Sequence, residues 1–184
     1  DFWRDTDKIK KQVEFLEKNT KYVLTGGGII KIDGSGREIL RYMPPEQDDE
    51  IKKRLLFNNI ISHSTVVFRK DAFEKVGGYC KKEGIWLQSA EDWNLYLKLG
   101  KIGKLYNFQE YFTNYLEAGQ NASFRRIRGD LLFNQKLRKK HRQDYSGFLR
   151  AYLIGWLYLF YYFLPLKKYL DYLLRKLRKS ILKY

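Results

Sequence analysis

Between residues 6 and 19 the apolar side chains Ile9, Val13 and Leu16, with Phe15 beside them, recur at helical spacing, while Lys8, Lys10, Lys11, Glu14, Glu17 and Lys18 take mostly outer positions. The pattern predicts an amphipathic helix entered through Asp5 or Thr6. Over residues 21–32 the pattern becomes a near-continuous apolar run broken by Gly26, Gly27 and Gly28, a strand interrupted by glycines. Asp33-Gly34-Ser35-Gly36 then turns the chain, and residues 37–42 return as a second strand, predicting a hairpin. A polar loop at 43–50 leads into a short helix over about 50–57. Residues 58–70 divide into a polar half and a β-branched half, the second predicted as a buried strand. Residues 71–76 make one or two helical turns, stopped by Gly77-Gly78.

A loop with Trp86 at its apolar centre follows over 79–89. It delivers the chain to Gln88-Ser89-Ala90-Glu91-Asp92-Trp93, where a helix striped with Trp93, Leu95, Leu97 and Leu99 begins, predicted to stop at Gly100. Two strands, 103–108 and 111–116, and a polar loop at 117–123 come next. Residues 125–142 predict a basic helix carrying Ile127, Leu131, Leu132 and Leu137. Residues 151–166 contain no charge and are rich in Tyr, Trp and Phe. As a helix such a segment spans about 24 Å, against a hydrocarbon core of roughly 30 Å, and starting it at Phe148 brings it nearly to length. Beyond Pro165, Leu166, Leu170, Leu173, Leu174, Leu177 and Ile181 share one side of an amphipathic pattern with lysines and arginines around them. That composition suits the surface of an anionic membrane, although a core helix pair or a partner-helix dock has the same periodicity.

Composition narrows the picture. A chain of 184 residues, 44% hydrophobic and 17% aromatic, can bury a real core. The net charge of +15 is unevenly spread, with 20 Lys+Arg against 18 Asp+Glu in residues 1–124 and 16 against 3 in residues 125–184. The front is nearly neutral, as expected of a site for small molecules, and the basicity belongs to the tail. Cys80 is the single cysteine, which excludes an internal disulfide and a cysteine-based zinc site and agrees with a reducing, cytosol-facing location. The start, Asp1-Phe2-Trp3, is neither a signal peptide nor an initiation sequence, so the chain is expected to be the C-terminal portion of something longer.

The glycine run lacks the Lys-Ser/Thr of a P-loop and no helix follows it, so a close backbone approach or a bulge is the expected reason for it. The acidic stretch at 46–50 lacks the spacing of a calcium loop. Asn121-Ala122-Ser123 matches a glycosylation sequon that a cytosol-facing chain would not use. Glu91-Asp92 at a helix start remains. Carboxylates there commonly cap the helix and complement its dipole. A carboxylate fixed at a helix start beside a packed aromatic such as Trp93 is also how a protein holds a general base, and Asp92 is the candidate. His63, where the polar half of 58–70 meets the apolar half, faces either a cleft or a hydrogen-bond partner in the core.

Taken in order, Asp1-Phe2-Trp3, Lys8 through Leu16, His63-Ser64-Thr65-Val66-Val67-Phe68-Arg69-Lys70, Val76-Gly77-Gly78-Tyr79 and Glu91-Asp92-Trp93-Asn94-Leu95-Tyr96-Leu97 resemble the second half of a family 2 inverting glycosyltransferase of GT-A fold. The resemblance covers about residues 1–123. It implies an α/β, incomplete GT-A (nucleotide-diphospho-sugar transferase) domain lacking its N-terminal nucleotide-binding half and followed by C-terminal helices. It also implies a nucleotide-sugar donor, a divalent cation (Mg2+ or Mn2+) on the diphosphate, and direct displacement at the anomeric carbon. Asp92 matches the family's base, and Asp1 the last carboxylate of its metal-binding cluster. Glu91 would line the acceptor pocket with Trp93 and His63, and Gly77, Gly78 and Tyr79 would floor it. The chain departs from the family in lacking the first half, a histidine near residues 118–123, and the Gln-x-x-Arg-Trp motif of processive synthases.

The expected organisation is therefore the glycosyltransferase half-domain over 1–123, a basic helical connector over 124–146, and membrane-associating helices over 147–184. The expected activity is inverting transfer of single sugars to a saccharide or lipid-linked acceptor at the cytoplasmic face of a membrane. The protein would be peripheral there or held by one short membrane segment. The rival reading is a non-enzymatic module that binds an anionic membrane surface or nucleic acid through its basic aromatic tail. For nucleic acid, no RNP, zinc or other recognition motif supports it.

Overall fold

The computed structural model describes residues 1–79, 90–117 and 127–163. In chain order the elements are β1 (Phe2–Trp3), α1 (Lys8–Lys18), β2 (Tyr22–Ile32), β3 (Glu38–Tyr42), α2 (Asp48–Leu55), a 3-10 turn (His63–Thr65) and β4 (Val67–Phe68). There follow α3 (Lys70–Lys75), α4 (Glu91–Ile102), β5 (Lys104–Leu116), α5 (Ile127–Lys140) and α6 (Phe148–Phe163). The fold is a mixed α/β arrangement on one sheet ordered β1-β5-β2-β3, with β4 on β2. β2 runs parallel to β5 and antiparallel to β3 and β4, while β1 is antiparallel to β5.

The glycines explain why β2 and β5 are so long. Both strands run unbroken, and the two strands expected at 103–108 and 111–116 are one, with register shifts opposite Gly27 and Gly28 where β5 passes from Phe108 to Tyr111. A β-carbon on Gly27 would lie 2.5 Å from the fully buried Phe112 ring, and one on Gly28 would meet Met43 and Tyr111. The glycines thus admit an aromatic ring and a bulge without breaking the strand. Phase and period predicted two segments because a bulge resets the alternation.

The outward face of α1 is also corrected. Lys8, Gln12 and Leu16 are its buried residues, and Ile9 and Val13 are exposed. Gln12 Nε2 lies 2.9 Å from the Thr65 carbonyl, 3.1 Å from Thr25 Oγ1 and 3.2 Å from the Thr25 carbonyl, so the helix is turned by an amide that satisfies buried backbone. The helix is entered from Asp7, with the Asp5 carboxylate accepting the Asp7 N–H at 2.8 Å. The expected buried strand in the second half of 58–70 shrinks to the two half-buried residues of β4. Thr65 bends the chain instead, donating to the Ser62 carbonyl at 2.7 Å and accepting the Gly27 N–H at 3.2 Å.

Helix α2 begins at Asp48, two residues before the expected start, because Asp48 Oδ1 accepts the Leu105 N–H at 2.9 Å and Oδ2 pairs with Lys52. Helix α3 ends as expected, with Gly77 and Gly78 at φ of 75° and 56° and their N–H groups donating to Glu74 and Phe73. Helix α4 is buried nearly all round, and it runs past Gly100 to Ile102. Gly100 stays inside it because the Tyr145 hydroxyl occupies the space a β-carbon would need.

In α5 the expected position Leu137 is buried, whereas Leu132 is exposed and Phe133 is buried in its stead. The helix is turned by Arg138, which donates to the Leu56 and Phe57 carbonyls at 3.3 and 2.7 Å, where α2 ends. Helix α6 packs Ala151, Gly155 and Leu159 inward. Among the described residues no helix is long and apolar enough to cross a membrane. The Trp86 loop, the sequon at 121–123 and the amphipathic stretch beyond Pro165 lie outside the described residues.

Candidate functional site

Asp92 occupies the second position of α4, which is entered through Ala90 in the left-handed conformation (φ 66°, ψ 24°) with no side-chain cap at that residue. Positive φ is uncommon for alanine, so the chain is turned sharply as it enters the helix. Asp92 Oδ1 accepts the Trp93 N–H at 2.7 Å, and Oδ2 accepts from Asn59 Nδ2 at 2.9 Å. Each oxygen keeps a second lone pair. Behind it Trp93 is buried, its indole N–H donating to the Leu55 carbonyl at 2.7 Å. The carboxylate is therefore held from two sides on a helix whose next residue is locked in the core.

Asp92 lines a cavity of about 530 Å³ together with Asp1, Lys31, Asn59, His63, Tyr115 and Glu117, over a floor that includes Ile29 and Ile61. The topology brings them together. Lys31 and Tyr115 are register partners across the parallel β2–β5 pair, and Asp1 Oδ1 accepts the Leu116 N–H at 3.1 Å beside that pair. His63 Nδ1 is 2.7 Å from the hydroxyl of Tyr96 on α4, and its Nε2 is 3.4 Å from the Tyr79 hydroxyl. Burial, reinforced by the nearby Asp92 charge, pushes the Tyr96 phenol well above its ordinary pKa, so it stays protonated. A neutral phenol bridging a histidine to the buried side of α4 fixes the imidazole relative to Asp92.

Three of the residues singled out in the sequence, Asp92, His63 and Asp1, thus share one cavity. Trp93 stands behind its wall, and Tyr79 reaches it only through His63, edge-to-face at 6.2 Å. Glu91 is exposed at the start of α4 and is not among the cavity-lining residues. Gly77 and Gly78 form the cap of α3 and do not line the cavity either. Asn59, Lys31, Tyr115, Tyr96 and Glu117 were not singled out. Lys31, Tyr96 and Tyr115 are polar groups within otherwise apolar segments, and Asn59 and Glu117 lie in polar stretches; neither pattern says where a side chain points. As for a divalent cation, no group of three His, Cys, Asp or Glu side chains among the described residues is placed to hold one. Asp1 has one carboxylate oxygen engaged by Leu116, and so could offer a single ligand rather than a site.

No protein-family model matches the chain. Individual relatives do. It is 31% identical over 97 residues to the amylovoran biosynthesis glycosyltransferase AmsE of Erwinia amylovora, covering 53% of this chain and 34% of that protein. It is 32% identical over 101 residues to the O-antigen biosynthesis glycosyltransferase WbnJ of Escherichia coli, covering 52% and 37% respectively. An uncharacterized glycosyltransferase of Haemophilus influenzae is 32% identical over 98 residues, covering 50% and 33%. The matches span only about a third of the length of these curated relatives. Their shared name, carried by three separate similarities, supports reading this chain as part of a glycosyltransferase.

Proposed function

We propose that the chain is the acceptor-side part of an inverting glycosyltransferase of GT-A type, transferring one sugar from a nucleotide-sugar donor to a saccharide hydroxyl. The observation that carries this reading is the two-sided hold on Asp92 at the wall of the cavity it shares with His63 and Asp1. The names of two relatives, in amylovoran and O-antigen biosynthesis, suggest a growing polysaccharide as the acceptor class.

In this mechanism the acceptor hydroxyl donates to a free lone pair of Asp92. As its oxygen bonds to the anomeric carbon, its proton passes to Asp92, the bond from that carbon to the donor phosphate breaks, and the nucleoside diphosphate leaves. Such general-base assistance is typically worth about a hundred- to ten-thousandfold. Asn59 and the Trp93 N–H keep the carboxylate aimed through the reaction, which is where much of the benefit of preorganisation lies. Because attack comes from the face opposite the leaving group, one carboxylate suffices, unlike the flanking pair of glycoside hydrolysis. Among the described residues no group of three His, Cys, Asp or Glu side chains could hold a metal ion.

The test is Asp92→Asn in the parent enzyme, assayed with a panel of nucleotide sugars and saccharide acceptors. Transfer should fall by about two to four orders of magnitude with donor affinity retained. Turnover at the parent rate would remove Asp92 from the chemistry.

A further inference from the structure

Helix α6 carries apolar residues on two opposite sides. Ala151, Gly155 and Leu159 are buried against α5, where a β-carbon on Gly155 would run into Gln135 and Arg138. On the far side Leu149, Leu153, Leu157 and Phe160 are 72%, 61%, 67% and 68% exposed. Single exposed leucines need no explanation, but these four follow one another at helical spacing along roughly 16 Å of helix. A helix apolar all round is one that is covered all round.

Charge identifies the cover. Helix α6 has no acidic residue, and Arg150 flanks its exposed stripe. On the other flank Tyr152 and Trp156 share an apolar groove of about 290 Å³ with Leu132 and Phe133 of α5, and Lys136 and Lys139 also line it. From residue 125 onward the chain holds 16 Lys+Arg against 3 Asp+Glu. A second copy laid on this face would bring the same positive charge, whereas an anionic lipid surface complements it. The 16 described residues of α6 reach about 24 Å, long enough to lay the whole exposed stripe along such a surface. Tyr152 and Trp156, between the buried and exposed stripes, are the amphipathic rings favoured at headgroup level.

We propose that α6 lies in the plane of an anionic lipid surface, with Leu149, Leu153, Leu157 and Phe160 below the headgroups and Lys136, Lys139 and Arg150 at the phosphates. The contact is independent of whether Asp92 is a catalytic base.

Co-sedimentation of the 184-residue chain with phosphatidylcholine vesicles, with and without phosphatidylglycerol and over a salt series, tests it. Binding should require phosphatidylglycerol and weaken with salt. L153Q/L157Q should lower the partition coefficient by at least about tenfold, with circular dichroism and melting unchanged because neither side chain is buried. K136Q/K139Q should cost about fivefold per lysine. Binding that survives L153Q/L157Q undiminished would overturn the proposal by assigning lipid contact to another part of the chain. So would equal binding to neutral vesicles, a preference for a single-stranded oligonucleotide over phosphatidylglycerol, or a dimer without vesicle binding that L153Q/L157Q dissolves.

Discussion

At Lys8 an ammonium has been carried under the sheet edge, 5.1 Å from the Trp3 ring centroid and 5.9 Å from that of Phe112, and its burial lowers the pKa to about 8. The unfolded chain returns the group to about 10.5. Between these values the unfolded state binds more protons, so this residue's contribution makes stability rise with pH from about 8 to 10.5, while below pH 8 the full cost of burying the charge is present. Lys8→Met keeps the stem and removes the charge. It should stabilise the chain at pH 7 by about 2–3 kcal/mol, less whatever the two rings give the cation. In urea denaturation the advantage over the parent should shrink as the pH climbs from 8 to 10.5, and a constant difference would contradict this account. Asn59 is the residue-scale counterpart in the site. Its amide is one of the two donors on Asp92, and a hydrogen bond to a charged group is worth about 1.5–3 kcal/mol. Asn59→Ala should slow transfer by about ten- to a hundredfold in kcat, leave KM for donor nearly unchanged, and leave the melting temperature within a few degrees. A KM effect alone would mean that Asn59 binds substrate rather than orienting the base.

At the scale of elements, the parallel β2–β5 pair decides both the fold and the cavity, and its glycines are the sensitive points. The Cβ of Gly27→Ala must displace the Phe112 ring, buried on every side, whereas that of Gly28→Ala meets the flexible end of Met43 at 2.8 Å and the half-buried Tyr111. Overpacking of a tight core costs about 1–3 kcal/mol. Thermal melts should therefore rank Gly27→Ala well below Gly28→Ala, and the reverse order would mean that the bulge at Gln109-Glu110 absorbs the strain. The same strands show what could be read in advance. The hairpin at 33–36, the glycine stop of α3 and the start of α4 follow from turn chemistry and local spacing, and all three are legible in the residues themselves. The face α1 buries is not, since the partners that draw Gln12 Nε2 inward, Thr25 and Thr65, are far away in the sequence. Likewise Asp92 was legible as a carboxylate at a helix start, but Asn59 was not, because its contact with Asp92 is made only by the tertiary fold.

For the whole molecule, the basic C-terminal helices are part of what holds α4, the helix that bears Asp92. Phe133, Leu137, Tyr145 and Ala151 belong to the same buried cluster as Leu24, Trp93 and Leu97. Tyr145 donates to the Leu97 carbonyl at 2.7 Å, Asp144 pairs with Lys101 at 3.0 Å, and His141 Nε2 is 3.3 Å from Asn94 Oδ1. Arg138 is the centre of this clasp. Its guanidinium lies 5.4 Å from the Trp93 ring centroid, donates to the carbonyls of Leu56 and Phe57, and is oriented by Gln135 Oε1 at 2.9 Å. Arg138→Met fills much of the volume but leaves those carbonyls without their charged donor, so it should destabilise the chain by about 2–4 kcal/mol, or roughly 4–16 °C in melting temperature. Because the clasp abuts Trp93, the near-ultraviolet circular dichroism of the tryptophans should weaken in parallel, and unfolding followed there and by far-ultraviolet signal should coincide in a single transition. Two separated transitions in the parent chain, with only the first moved by Arg138→Met, would show that α5 and α6 unfold on their own and that α4 keeps its geometry without them.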